Sequence, residues 1–97
     1  MYAVITRVEV EPGSIDELAE LFDATNRDLV AEHPDWVGAW FTADRASSEV
    51  TVIARWKDAT SYTRLRESED FQQIMSSFAR RFVSPPEVSV NELLVEM

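Results

Sequence analysis

The order in which the hydrophobic repeat changes along the chain constrains the fold more than any other feature. Residues 2–10, YAVITRVEV, are rich in β-branched side chains and hold no Gly or Pro, so they predict a strand. Pro12 and Gly13 break it. Ile15, Leu18, Phe22, Leu29 and His33 then recur at spacings near 3.6, which predicts an amphipathic helix over roughly 15–32. Ser14 and Glu17 stand at the spacing of a capping box at its start, and Pro34 ends it. Two further strands follow, VGAWFT at 37–42 and EVTVIARW at 49–56, on either side of the polar turn ADRASSE. Asp58 is placed to cap a short helix carrying Tyr62 and Leu65. Ser68 is placed to cap another, with Glu69 and Asp70 in its first turn and Phe71, Ile74, Met75, Phe78 and Phe82 as its apolar face. Ser84, Pro85 and Pro86 close that helix, and VSVNELLV at 88–95 predicts a fourth strand.

The resulting order, β-α-β-β-α-β, predicts an α+β, ferredoxin-like domain. In it, a four-stranded antiparallel sheet carries its helices on one face. With 97 residues, the chain is expected to form a single domain over 1–97. Helices cover one sheet face only, so the strands of a monomer ought to alternate cleanly between apolar and polar. They do not. Strand three sets Val50, Val52, Ala54 and Trp56 against Thr51 and Ile53, and strand two sets Trp40 against Phe41. Both faces call for burial, which predicts a homodimer packed through the open sheet face.

Composition excludes several classes of function. Nine Lys and Arg oppose eighteen Asp and Glu, for a net charge of −9, a sign that repels nucleic-acid backbones and anionic lipid. Residues 14–35 hold seven acids and one Arg, whereas residues 58–83 are balanced at four of each. The first helix is therefore expected to present a solvated acidic face. The absence of cysteine rules out disulfides and thiol chemistry, and His33, the single histidine, leaves no multi-histidine metal site. No apolar run approaches the roughly 18 residues of a membrane span, and the opening strand has no basic leader, so a cytoplasmic protein is expected.

Several stretches resemble one family. The element order, the length and WKDATSYTRLRESEDF after strand three are similar to the antibiotic-biosynthesis-monooxygenase family of dimeric α/β barrels. Trp56, Asp58, Ser68 and Phe71 stand at the family's spacing, VEVEPGSIDELAELF resembles its first strand and helix, and HPDWVGAWF resembles its Pro-x-x-x-Gly lead into strand two. The His usual nine residues after the Trp is Leu65 here. Three positions that serve haem in the haem-degrading branch are Thr6, Arg66 and Met75 here, so the resemblance implies no haem site. In the cofactor-free, quinone-forming branch a Trp ending strand three and a Tyr six residues later border the substrate cavity, and Trp56 and Tyr62 stand at that spacing.

The resemblance also implies that even positions of strands one and three face the helices. That would gather Thr6, Phe22, Asn26, Phe71, Met75 and Phe78 with Trp56 and Tyr62 around a mostly apolar space. Trp56 and Tyr62 are the expected catalytic donors, by indole N–H and phenol hydroxyl, and the other six the expected substrate contacts. The implied activity is monooxygenation of a planar aromatic or polyketide-like molecule without cofactor or metal. No carboxylate falls in this apolar set to act as base. His33 suits a cation at a helix C-terminus better than a catalytic role. Arg7 and Arg55 fall on the opposite face, where pairing with carboxylates across a dimer is expected. The alternative is a non-catalytic dimeric module of the same fold that binds a hydrophobic small molecule or acts as a scaffold.

Overall fold

A computed structural model describes residues 1–30 and 33–97. Its elements run β1 (Tyr2–Glu9), α1 (Ile15–Leu29), β2 (Trp36–Asp44), β3 (Glu49–Trp56), α2 (Ala59–Glu67), α3 (Glu69–Ala79) and β4 (Glu87–Glu92). The four strands form one antiparallel sheet in the order β2-β3-β1-β4, with three helices: the expected α+β, ferredoxin-like arrangement.

Register fixes which residues share a face. Val4 pairs with Ala54, Thr6 with Val52 and Val8 with Val50, and Ala39 and Phe41 of β2 continue these rows. This set lies under the helices. Ala39 and Phe41 join it because a register irregularity between Trp36 and Gly38 resets the alternation of β2. On the opposite face Trp40, Ile53, Ile5 and Ser89 line up in one row across all four strands. Ile5 and Ile53 are half-buried there, and Trp40 stays 49% exposed.

The caps divide. Asp58 accepts from the Thr60 amide at 2.8 Å and Ser68 from the Phe71 amide at 3.2 Å, as their positions predict. The capping box at Ser14 does not form. Gly13 turns the chain at φ +88, Ser14 takes helical dihedrals, and its hydroxyl donates back to the Glu11 carbonyl at 2.6 Å. Glu17 accepts instead from Arg81 at 3.2 Å. Both halves of the box are thus engaged elsewhere.

Other boundaries also shift. α1 ends at Leu29, and the last expected helical residues, 31 and 32, lie outside the described residues. Phe82 sits beyond α3 in an isolated bridge to Val10 rather than on the helix. β4 stops at Glu92, so 93–95 lie outside the sheet with Leu94 and Val95 exposed. The Leu93 amide still donates to the Met1 carbonyl at 2.9 Å, one rung further in the Tyr2–Glu92 register, and β1 offers no partner beyond it. Arg55 pairs within the chain with Glu96, and its guanidinium lies 5.9 Å from the centre of the Trp40 ring. The cross-dimer partner expected for Arg55 is therefore supplied by the chain's own tail.

The core is split. One buried cluster joins Val8, Val10, Ile15, Leu18, Val50 and Phe78, and a second joins Val4, Val30, Trp56 and Tyr62 at the other end of the sheet. Between them Thr6 and Val52, paired at mid-sheet, remain only half-buried.

Candidate functional site

That gap between the clusters is a cavity of about 410 Å3 beneath the helices. Protein interiors normally leave few voids larger than a water molecule, so an open volume of this size in a small domain is a feature of the fold. It falls in the range of small-molecule sites, about 300 to 1,000 Å3.

The sheet forms its floor, with Val4, Thr6 and Val8 from β1 and Val52, Ala54 and Trp56 from β3. The α1 wall carries Phe22, Asn26 and Leu29, one to two turns apart and so on one helix face. α2 supplies Tyr62, Leu65 and Arg66, and α3 supplies Phe71, Met75 and Phe78 by the same spacing rule. All eight residues singled out in the sequence therefore border one space. A second opening of about 320 Å3 between α1 and β2 shares Phe22, Asn26, Trp36, Ala39 and Phe41 with it. Phe22 and Phe41 form a tilted aromatic pair there, 5.4 Å between ring centres.

The polar groups are few and specific. Trp56 is 2% exposed, and its indole N–H is buried with no hydrogen-bond partner among the described residues, which costs about 1–3 kcal/mol. Because that N–H is closed off, the part of Trp56 left to meet a ligand is its ring. The ring stands between His33 at 5.3 Å, edge-on, and Tyr62 at 6.2 Å. Tyr62 makes no side-chain hydrogen bond among the described residues, and burial raises its hydroxyl pKa, an effect the nearby Arg66 charge partly offsets. It stays a neutral donor at neutral pH. Thr6, on the floor, likewise has no side-chain hydrogen bond among the described residues. Asn26 donates to the Phe22 carbonyl at 2.9 Å, which ties its amide nitrogen to the helix and leaves its side-chain oxygen as an acceptor.

His33 does not enter the wall. It lies past α1, where its Nδ1 accepts from the Asp35 amide at 3.2 Å, and Asp35 in turn accepts from the Ser61 hydroxyl at 2.5 Å. These contacts brace the back of Trp56 rather than reach the cavity. No Asp or Glu lies among the described lining residues, and no group of three or more potential ligands among the described residues could hold a metal ion.

Sequence reasoning missed Trp36, Phe41, Leu65 and Arg66 as site residues. Leu65 and Arg66 were within reach, being three and four residues beyond Tyr62 on the same helix. Trp36 and Phe41 were not, because the β2 irregularity resets their side.

The fold, and a cavity lying between its sheet and its helices and partly open to solvent, place the chain among ferredoxin-like domains with a ligand-sized space under the helices. The family model for antibiotic biosynthesis monooxygenases matches residues 1–77, and the chain belongs to that family. No curated protein matches the chain. Solved structures do. A variant of SnoaB, a cofactor-independent oxygenase from Streptomyces nogalater, superposes with a TM-score of 0.82 at 18% identity, covering 99% of this chain and 95% of that one. Rv0793 from Mycobacterium tuberculosis gives 0.79 at 21%, with 98% and 96% covered. A protein from Caulobacter crescentus CB15 gives 0.83 at 12%, with 97% and 90% covered. At these identities the likeness speaks for the fold. No helix among the described residues is long and apolar enough to cross a membrane.

Proposed function

We propose that this chain, acting as one domain over 1–97, is a cofactor-independent monooxygenase. Its substrate would be a planar aromatic or polyketide-like molecule held between sheet and helices. The observation that carries the reading is the open, largely apolar cavity of about 410 Å3 with Tyr62 and Thr6 hydroxyls that have no partner among the described residues, in a member of a monooxygenase family.

The chemistry such a space supports is limited. Triplet oxygen needs an electron donor, and an electron-rich phenolate or enolate of the substrate supplies it. A methylene flanked by aromatic rings, after proton loss, gives one electron to oxygen. The resulting radical pair combines to a peroxide, which takes up a proton and eliminates water to leave a carbonyl. One oxygen molecule is consumed, with one oxygen atom ending in product and one in water. Trp56 provides the flat wall, Tyr62 and Thr6 donate to the substrate oxygen on which negative charge develops, and Phe22, Asn26, Phe71, Met75 and Phe78 orient the rings and exclude water. The Trp40–Ile53–Ile5 row supports pairing of two copies face to face, with the exposed tail from Leu94 as additional apolar cover.

Oxygen uptake with an anthrone or a hydroquinone tests this. Wild type consumes one oxygen per substrate, and Tyr62→Phe and Trp56→Phe slow it. No uptake with either compound, alongside retained binding of the same compounds, would support the non-catalytic binding module instead.

A further inference from the structure

The cavity wall excludes charge with one exception. Among the described lining residues Arg66 is the single ionised side chain. It reaches the wall because it lies four residues beyond Tyr62 on α2, which sets the two Cβ atoms about 5–6 Å apart on one helix face. Arg66 is exposed, so its guanidinium stands where the cavity meets solvent. Arg27, Arg45, Arg55 and Arg81 each have a carboxylate partner; Arg66, like Arg7, Arg64 and Arg80, makes no ion pair among the described residues, and of these four it is the one that lines the cavity. The contrast with Arg27 is informative. Arg27 borders the second opening, but Asp23 sits 3.3 Å from it, so that mouth is neutral.

A guanidinium and a phenol hydroxyl with no partner among the described residues, at the rim of an apolar space, offer several N–H and O–H donors against a single acceptor, the phenol oxygen. We propose that Arg66 and Tyr62 form a head-group clamp, and that the ligand is a planar aromatic acid with its rings in the cavity and one anionic oxygen group, a carboxylate, sulfonate or phenolate, on Arg66. This rests on the reading of the cavity as a ligand site and names the substrate class for it. The chain's net charge of −9 works against such an anion at long range, so recognition is a short-range, charge-assisted contact that survives screening over about 8 Å at physiological salt.

Two fluorescent probes with the same ring system separate charge from shape: anilinonaphthalene sulfonate, an anion, and phenylnaphthylamine, which is neutral. Titrated into wild type, Arg66→Gln and Arg66→Glu, the sulfonate is expected to weaken about fivefold in the Gln variant and further in the Glu variant, since about 1 kcal/mol of contact corresponds to that factor. Phenylnaphthylamine is expected to change by less than about twofold, a shift of roughly 0.4 kcal/mol. Sulfonate binding unchanged in both variants overturns the clamp and leaves the cavity reading standing. Parallel weakening of both probes also overturns it, because Arg66 then shapes the cavity rather than reads charge. If neither probe binds wild type, the cavity reading fails and the clamp falls with it.

Discussion

Tyr62→Phe separates a ligand-directed hydroxyl from a structural one by giving opposite signs in two assays. The substitution keeps the ring, which is buried against Trp56 at 6.2 Å, and removes only the hydroxyl oxygen. That hydroxyl has no protein partner among the described residues, so folding loses no hydrogen bond when it goes. A paired hydroxyl would contribute about 1 kcal/mol net, and in a domain of this size that is roughly 4–8 °C in melting temperature. The expected melting temperature of Tyr62→Phe is therefore equal to wild type or slightly higher. In catalysis the same hydroxyl donates to a substrate oxygen that is gaining charge, and its loss is expected to lower kcat/KM about tenfold, equivalent to about 1.4 kcal/mol. A pH series strengthens the test. Burial raises the hydroxyl above its ordinary value of 10.0. The unfolded chain ionises first, so wild-type stability is unaffected below about pH 10 and falls as pH rises from there towards the folded pKa, while the Phe variant lacks this component. A drop of about 4 °C or more on substitution at neutral pH would refute the reasoning, since it would mean the hydroxyl is bound within the free protein. So would an unchanged kcat/KM.

Leu18 is 2% exposed in the larger core cluster, and Leu18→Ala is expected to cost about 2–5 kcal/mol in urea unfolding; a loss below about 1 kcal/mol would show that this end of the core is loosely packed. Ile53→Glu places a charge in the middle of the outer apolar row and is expected to convert a dimer to a monomer in sedimentation with its helical content retained; a wild type that already sediments as a monomer refutes the pairing. Asp16 is held below its ordinary value of 3.8 by the Arg45 guanidinium at 2.7 Å, so its stabilising contribution is present above 3.8 and lost as pH falls through the lowered folded value. In an NMR titration Arg45→Gln is expected to return the Asp16 carboxyl to about 3.8, and an unmoved titration would show that the pair does not persist in solution.

The order of elements was legible from the sequence because it depends on local periodicity. The β-branched runs of β1 and β3 and the 3.6-residue face of α1 and α3 each show within a dozen residues, and Asp58 and Ser68 cap where their neighbours demand. What failed was contingent on distant partners. Ser14 and Glu17 have the spacing of a capping box, yet Arg81, far along the chain, takes Glu17, and the Gly13 turn redirects Ser14. β4 ends at Glu92 because its partner β1 begins at Tyr2, opposite it, and Arg55 finds Glu96 in the tail. The eight expected site residues lie along the wall of one space on the sheet face that the family resemblance assigned to the helices, since alternation alone left both faces partly apolar. Whether that wall enclosed an empty space or a packed core was decided only when the sheet and the helices met, since the volume left between two buried clusters depends on how far apart α1, α2 and α3 are held. The same packing brought Arg66 to the rim of that space without a counter-ion among the described residues.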